Sequence, residues 1–333
     1  MAVKPAVGVF MPPSPDGTQP ARPAASLDLG KIPPDAHATL RRRLDGLADE
    51  ADVVHDLDLR RSFILDGRVR CGDRCASDLD VYVWYAEMER ALGGYHLEVL
   101  KTLGTEVLVV PDPWRFEQGL DKFWAHQTLG RAGVRVPETV LVDHRNLDLV
   151  EALLDAWGRA VLKPRWGSFG QGVLLVEDFA GARDAIGFLG RTSPCAVRQA
   201  FLLERFYPND PADWVSAVLI NGELMYGYRK RASARVALGP HGAWKVFDAD
   251  GVGGHVDLAE VSPAHLAQAR RAQRALDAPV VGFDMILHQG VPVVVDENTF
   301  PGLYPRLFAE AGKDLGEELF RMVLGALRRY RGA

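Results

Sequence analysis

The chain has 333 residues, enough for two or three domains, and 47% apolar with 25% charged residues is the balance of a soluble globular protein. Its 39 basic and 44 acidic side chains leave a net charge of −5, which gives no support to nucleic acid as a partner. There is no apolar run of transmembrane length, no signal-peptide pattern and no disulfide framework, so the expectation is a cytoplasmic protein with no membrane partner.

In chain order, residues 7–10 read as a short apolar strand, and 11–34, rich in proline and alanine, as the loop after it. Leu40, Leu44 and Leu47 have helical spacing over 40–49, with Arg41, Arg42 and Arg43 as a solvated face. Residues 53–59 and 61–69 read as strands and a hairpin turning at Asp66-Gly67. Cys71 and Cys75 have no second Cys/His pair nearby to complete a zinc site and, with Cys195, read as free thiols. A strand at 79–84, a helix at 95–103 stopped by Gly104 and a strand at 106–110 complete the segment. This alternation predicts a small, mainly parallel α/β domain over 1–113, bounded by Pro111 and Pro113.

Residues 116–130 read as one helix carrying Leu120, Lys122, Phe123 and Trp124. A turn at 133–137, a strand at 139–142 and a helix at 147–157 stopped by Gly158 follow. The stretch 161–176 then reads as strand, glycine loop, strand. Lys163 ends the first strand, and Gly167, Ser168, Gly170 and Gly172 form the loop. Such glycines let the backbone approach a ligand and turn its N–H groups toward an anion, and the lysine adds a mobile charge, so the combination suits phosphate. It is not a Walker loop, because no Gly-Lys-Ser/Thr opens a helix. It is not a dinucleotide fingerprint either, because the order is Gly-x-x-Gly-x-Gly and a strand follows. Taken alone, the stretch fits a phosphate loop and an ordinary surface hairpin equally well.

Residues 180–190 read as a helix and 196–203 as a strand. Strands at 213–220 and 224–231 pair about Asn221-Gly222, and 239–254 is a glycine-rich loop. A helix at 263–277, strands at 280–287 and 291–295, and a closing helix at 308–329 finish the chain. Asp284 lies inside the first of these strands, and Asp296, Glu297 and Asn298 follow the second. A three-residue loop at 289–291 sets Asp284 opposite Asp296, with Asn298 on the same face and Glu297 turned away. Opposed carboxylates repel unless a cation stands between them, and a hard divalent ion such as Mg²⁺ is the natural choice. The alternative is a solvated acidic strand end, which a one-residue shift of register would produce. The phosphate loop in the same chain favours the metal.

The stretch from about Asp121 to Leu303 resembles the ATP-grasp carboxylate–amine ligases, in particular their glutathione-synthetase and RimK-like branch. Four features carry the resemblance: Leu120-Asp-Lys122 with Gly-Val-Arg-Val-Pro137; Leu162-Lys-Pro-Arg-Trp-Gly-Ser-Phe-Gly-Gln-Gly-Val173; Arg198-Gln-Ala-Phe-Leu202; and Gly282-Phe-Asp-Met-Ile286 with Asp296-Glu-Asn-Thr-Phe-Pro-Gly302. The implied fold class is α/β, an ATP-grasp fold behind a Rossmann-like α/β domain. The implied segments are 1–113, a central ATP-grasp subdomain at 114–195 and a C-terminal one at 196–333.

The resemblance implies that Lys122 and Lys163 bind the α- and β-phosphates of ATP, under a lid running from Gly167 through Ser168 and Gly170 to Gly172. It makes Gln199, Ala200, Phe201 and Leu202 the hinge that meets adenine. Asp284, Asp296 and Asn298 become the ligands of Mg²⁺, or Mn²⁺, and Arg229 and Arg231 the catalytic charges on the transferred phosphate. The implied activity joins a small-molecule or peptide carboxylate to an amine and releases ADP and phosphate. Two departures concern the acceptor side. Asp213 is followed by Trp214, Val215 and Ser216 where the family has Asp-x-Arg, and no Phe-Arg-x-Asn element precedes Gly253-Gly254. Asp296 also replaces the more usual glutamate. A nucleotide-binding relative without ligase chemistry, or a kinase on the same scaffold, is therefore the alternative. Arg306 and the arginines between 60 and 74 are candidates for holding a substrate carboxylate, and the oligomeric state, including a homo-oligomer, is open.

Overall fold

The computed structural model describes residues 4–14, 31–86, 94–167, 172–192, 200–231 and 255–332. Ser168, Gly170, Cys195, Gln199 and the glycine-rich segment 239–254 lie outside these residues.

The first segment contains β1 (Ala6–Phe10), α1 (Pro34–Asp45), β2 (Asp52–Val54), β3 (Phe63–Leu65), β4 (Arg68–Cys71), β5 (Arg74–Cys75), β6 (Val81–Trp84), α2 (Tyr95–Leu103) and β7 (Leu108–Val110). Strands β2, β1, β6 and β7 lie side by side in that order, and every pair is parallel. Val7, Val9 and all of β6 are buried, as expected of a parallel sheet covered on both faces. Strands β3 to β5 form a small antiparallel sheet that turns at Asp66-Gly67, where both residues have positive φ. Cys71 and Cys75 are free thiols.

The helix expected over 116–130 is two helices, α3 (Pro113–Leu120) and α4 (Lys122–Arg131). Asp121 causes the break. Its backbone is extended, and its carboxylate accepts from the N–H groups of Phe123 and Trp124 at 3.1 and 3.3 Å, capping α4. The cap places Lys122 at the first position of the new helix.

Next come β8 (Thr139–Val142), α5 (Leu147–Trp157), β9 (Ala160–Pro164), β10 (Leu174–Val176), α6 (Phe179–Thr192) and β11 (Phe201–Arg205). Their sheet runs β10-β9-β11-β8 and is antiparallel throughout. The glycine loop therefore joins two paired strands, β9 and β10, as a hairpin does. Strand β11, which the sequence pattern groups with the C-terminal segment, is hydrogen-bonded between β9 and β8.

The last segment contains β12 (Val215–Ile220), β13 (Glu223–Arg231), β14 (His255–Ala259), α7 (Pro263–Leu276), β15 (Val280–His288), β16 (Val291–Asn298), α8 (Pro305–Glu310) and α9 (Leu315–Gly332). The five strands run β14-β13-β12-β15-β16, all antiparallel. The single closing helix expected over 308–329 is split by Gly312, whose φ of +66° the preceding helix cannot continue through.

Packing and hydrogen bonds join these segments. Trp84, Phe116 and Phe300 pack edge to face at centroid distances of 5.0 to 6.3 Å, with Tyr85 5.3 Å from Phe300. Helix α9 returns to pack on α1 and β6. A Cβ at Gly316 would stand 2.5 Å from the carbonyl oxygen of Ala36 and 2.7 Å from Cβ of Thr39, so α9 approaches α1 closely only because that residue has no side chain.

Gly316→Ala sets two effects against each other. Helix propensity favours alanine by up to about 1 kcal/mol, whereas overpacking costs about 1–3 kcal/mol. The expected result is net destabilisation in urea unfolding, and a stabilised variant would contradict the close packing of α1 and α9.

Candidate active site

A cavity of about 430 Å³ opens between the β10-β9-β11-β8 sheet and the β14-β13-β12-β15-β16 sheet. Val161, Lys163 and Trp166 line it from β9 and the loop base, Phe206 and Tyr207 from the segment after β11, and Asp284, Ile286, Asp296 and Asn298 from β15 and β16.

Asp284 and Asp296 are direct cross-strand partners, as the sequence predicts, and Asn298 pairs with Gly282 farther along. The route to that register differs from the prediction. The turn has two residues, Gln289 and Gly290, both at positive φ, and His288 pairs with Val291. A bulge then leaves Val295 unpaired and shifts the ladder by one residue before the aspartates. The displaced carbonyl of Val295 accepts from Nζ of Lys163 at 2.8 Å.

Three lysines surround the acidic pair. Lys122 bonds to Asp296. Lys230 donates to Oδ2 of Asp284 at 2.7 Å, while the hydroxyl of Ser216 donates to Oδ1 at 2.6 Å. Lys163 pairs with Glu204 at 2.7 Å. Burial pushes the Asp296 carboxyl up, but Lys122 and Lys163 outweigh it and hold the group below its ordinary range. Burial likewise pulls Lys122 and Lys230 down, and the facing carboxylates more than reverse it, so both pKa values are raised. Asp296 is thus held as a carboxylate, and ammonium groups meet both members of the pair. Two carboxylates and an amide oxygen are hard donors that suit a divalent cation such as Mg²⁺. Among the described residues no group of three or more His, Cys, Asp and Glu side chains forms a metal cage.

The proposed cofactor residues divide. Gly167 and Gly172 stand at the two ends of the loop, and Gly172 has a φ of +73°. Lys122 and Lys163 reach the cavity. Phe201 and Leu202, read as hinge residues, are buried within the central sheet, paired across to Pro164 and Lys163. The carbonyl of Ala200 accepts from the N–H of Arg165. The residues at the cavity edge are five places farther on, Glu204 to Tyr207, because the apolar run continues through the sheet before the chain emerges. The sequence signal for this was the length of the run, which matches a central strand buried on both faces.

The catalytic arginines are also displaced. Arg229 donates to the carbonyl of Trp214 at 3.3 Å, and the backbone of Arg231 pairs with His255. The residue of β13 that reaches Asp284 is Lys230. Ser216 pairs laterally with Tyr228 on one side and Asp284 on the other, so these three share a face, and Lys230, two residues beyond Tyr228, shares it too. Counting in twos from Asp284 across the sheet would have selected Lys230 and rejected Arg229. Arg306 is engaged by Glu310 at 2.8 Å and by the carbonyl of Val256. Arg60 pairs with Asp58, and Arg68 with Asp78, each at 2.8 Å.

Behind the lysines lies a buried cluster that the sequence did not suggest. Nδ1 of His126 is 3.4 Å from Oε1 of Glu204, and Nε2 is 3.5 Å from Oε2 of Glu297. Both distances are long for hydrogen bonds. The tautomer follows from Thr139. Its hydroxyl donates to the carbonyl of Pro137 at 2.9 Å, so its lone pairs face Nδ1 of His126 at 3.5 Å and place the ring proton there. Burial lowers His126 to about 4, so the ring is neutral near pH 7. Burial raises Glu297 well above the usual carboxyl range despite the nearby lysines. Its carboxyl lies against His126 and turns away from the aspartate face, as predicted.

No family model matches the chain. A protein of Xanthomonas campestris pv. campestris (strain B100) named probable alpha-L-glutamate ligase is 29% identical over 192 residues, covering 55% of this chain and 58% of its own length. The chain thus spans little more than half of the relatives it matches. The D-cycloserine synthetase DcsG aligns over 97% of this chain and 99% of its own, with TM-score 0.61 and 16% identity. A D-alanine–D-alanine ligase from Bacillus anthracis, complexed with ATP, aligns over 99% of both chains with TM-score 0.59 and 16% identity. An ATP-grasp RimK domain protein from Sphaerobacter thermophilus aligns over 95% and 98%, with TM-score 0.56 and 16% identity. The fold is that of the ATP-grasp ligases, and the resemblance to RimK-like proteins read from the motifs is borne out. Among the described residues no helix is long and apolar enough to cross a membrane.

His126 sets a pH dependence. Its pKa falls from 6.5 to about 4 on folding, so between these values the unfolded chain binds a proton that the folded one refuses. Stability therefore falls as pH drops through that interval, by on the order of 3 kcal/mol in total. Urea unfolding across the interval should show a shallower pH dependence for His126→Gln than for the wild type. Equal slopes would rule out a neutral buried imidazole.

Proposed function

We propose that the protein is an ATP-dependent carboxylate–amine ligase. The observation that carries this reading is the arrangement of Lys122, Lys163 and Lys230 around the opposed Asp284 and Asp296, with Gly167 at the edge of the same cavity. Lys122 and Lys163 would meet the phosphates of ATP, and the loop from Gly167 to Gly172 would cover them. Phe206 and Tyr207, in place of residues 199–202, would meet the base. Asp284, Asp296 and Asn298 would hold Mg²⁺, which supplies charge neutralisation to the phosphate oxygens when bound.

A carboxylate oxygen is a poor leaving group, so an amine does not displace it directly. Transfer of the γ-phosphoryl group to the carboxylate gives an acyl phosphate and ADP. Attack by the amine then forms the amide and releases phosphate. The residues serve chiefly to position the groups and to balance spreading negative charge. Lys230 takes the catalytic role first read onto Arg229 and Arg231, because it stands beside Asp284, whose other oxygen accepts from Ser216, and because the arginine of the family's Asp-x-Arg is missing after Asp213. The name of the curated relatives supports glutamate or a glutamate-containing peptide as the first substrates to test. The missing arginine supports a second reading, a nucleotide-binding relative without ligation.

Purified protein with Mg-ATP and a panel of glutamate, other amino acids and short peptides is expected to release ADP only when carboxylate and amine are both present. Mass spectrometry of the product separates an amide from a phosphorylated kinase product, and nucleotide binding without turnover favours the second reading. Losing one charge-assisted contact costs about 1.5–3 kcal/mol, so Lys163→Ala should weaken ATP binding by about ten- to a hundredfold. Lys230→Ala should lower kcat more than it raises KM for ATP. Unchanged ATP affinity in Lys163→Ala would overturn the nucleotide assignment.

A further inference from the structure

Three buried carboxyl oxygens in the site have no hydrogen-bond partner within the protein, Oε1 of Glu204 and both oxygens of Glu297. Such groups are costly to bury, and their persistence calls for a role. Both lie against one residue, His126, whose two ring nitrogens face one carboxyl each at 3.4 and 3.5 Å. All three side chains are almost wholly buried. The remaining oxygen of Glu204 holds Lys163 at 2.7 Å, and Lys163 also donates to the carbonyl of Val295 at 2.8 Å.

We propose that His126 is a positioning residue for Lys163, acting through Glu204. The proposal rests on the nucleotide reading of the cavity. A lysine is a point charge on a flexible four-carbon stem, so its partners decide where the ammonium sits. Glu204 is the anionic partner, and a carboxylate gripped at one oxygen can still pivot. Nδ1 of His126 stands 3.4 Å from the second oxygen, and the buried ring limits that pivot by contact. The ring is fixed in turn by Thr139 on β8 and by Glu297 on β16. The line Lys163, Glu204, His126, Glu297 therefore crosses from the central sheet to the C-terminal one. It ties the position of a phosphate-binding charge to the strand that carries Asp296 and Asn298.

The role predicts a specific non-additivity. Binding of ADP with Mg²⁺ is measured by calorimetry for the wild type, His126→Leu, Glu204→Gln and the double variant, with thermal unfolding as the check on folding. His126→Leu is expected to weaken ADP binding by on the order of tenfold, and to have no further effect once Glu204 is Gln. Additive losses, or wild-type affinity in folded His126→Leu, would overturn the proposal. A second comparison holds even where the leucine variant fails to fold. Asn keeps a donor near the Nδ1 position and Gln places its amide near Nε2, so His126→Asn should bind ADP more tightly than His126→Gln, and the reverse order would overturn it. Wild-type protein that does not bind ADP rejects the nucleotide reading itself, an outcome distinct from wild-type binding that is insensitive to His126.

Discussion

Two carboxylates stand face to face on adjacent strands, and much of the local structure serves to hold them there. Opposed like charges destabilise a sheet unless positive charge is close by. Lys122 reaches Asp296 from the capped start of α4, and Lys230 reaches Asp284 from two strands away. Each lysine depends on a local feature of its own. Lys122 is in place because Asp121 ends α3 and restarts the helix, and Lys230 because β13 runs long enough to carry it past Tyr228.

The bulge at Val295 links this charge cluster to the central sheet. It brings Asp296 opposite Asp284, and it turns a carbonyl out of the ladder toward Lys163. One extra residue thus sets the acidic register and supplies an anchor for the lysine of the other sheet. Together with the buried His126 cluster, it makes the cavity wall a continuous set of polar contacts between two sheets that share no strand pairing. Among the described residues these contacts, and not a shared ladder, join the two sheets.

Much of the fold was legible in the pattern of residues. The parallel alternation of the first segment, the helix from 95 to 103, the hairpin at Asn221-Gly222 and the glycine hairpin after Lys163 follow from local periodicity and turn chemistry. Helix continuity was not legible at Asp121 or Gly312, because a capping carboxylate and a left-handed glycine interrupt an otherwise helical pattern. The course of the chain at 199–207 was not legible for a related reason. An apolar run gives the strand but not the point at which it leaves the sheet, and β11 is central, with both edges paired.

The sequence by itself determined which chemistry was available: a lysine beside a glycine loop, two aspartates one hairpin apart, and no arginine in the stretch after Asp213. Those are properties of residue type and short spacing, which a chain carries before it folds. Only the tertiary structure decided that Lys230 and not Arg229 meets Asp284, since that depends on which face of β13 the neighbouring strands turn inward. It also decided that His126, Glu204 and Glu297, far apart in the chain, lie together, buried behind Lys122 and Lys163. Burial of charge is a property of packing between sheets, and no local pattern in a sequence records it.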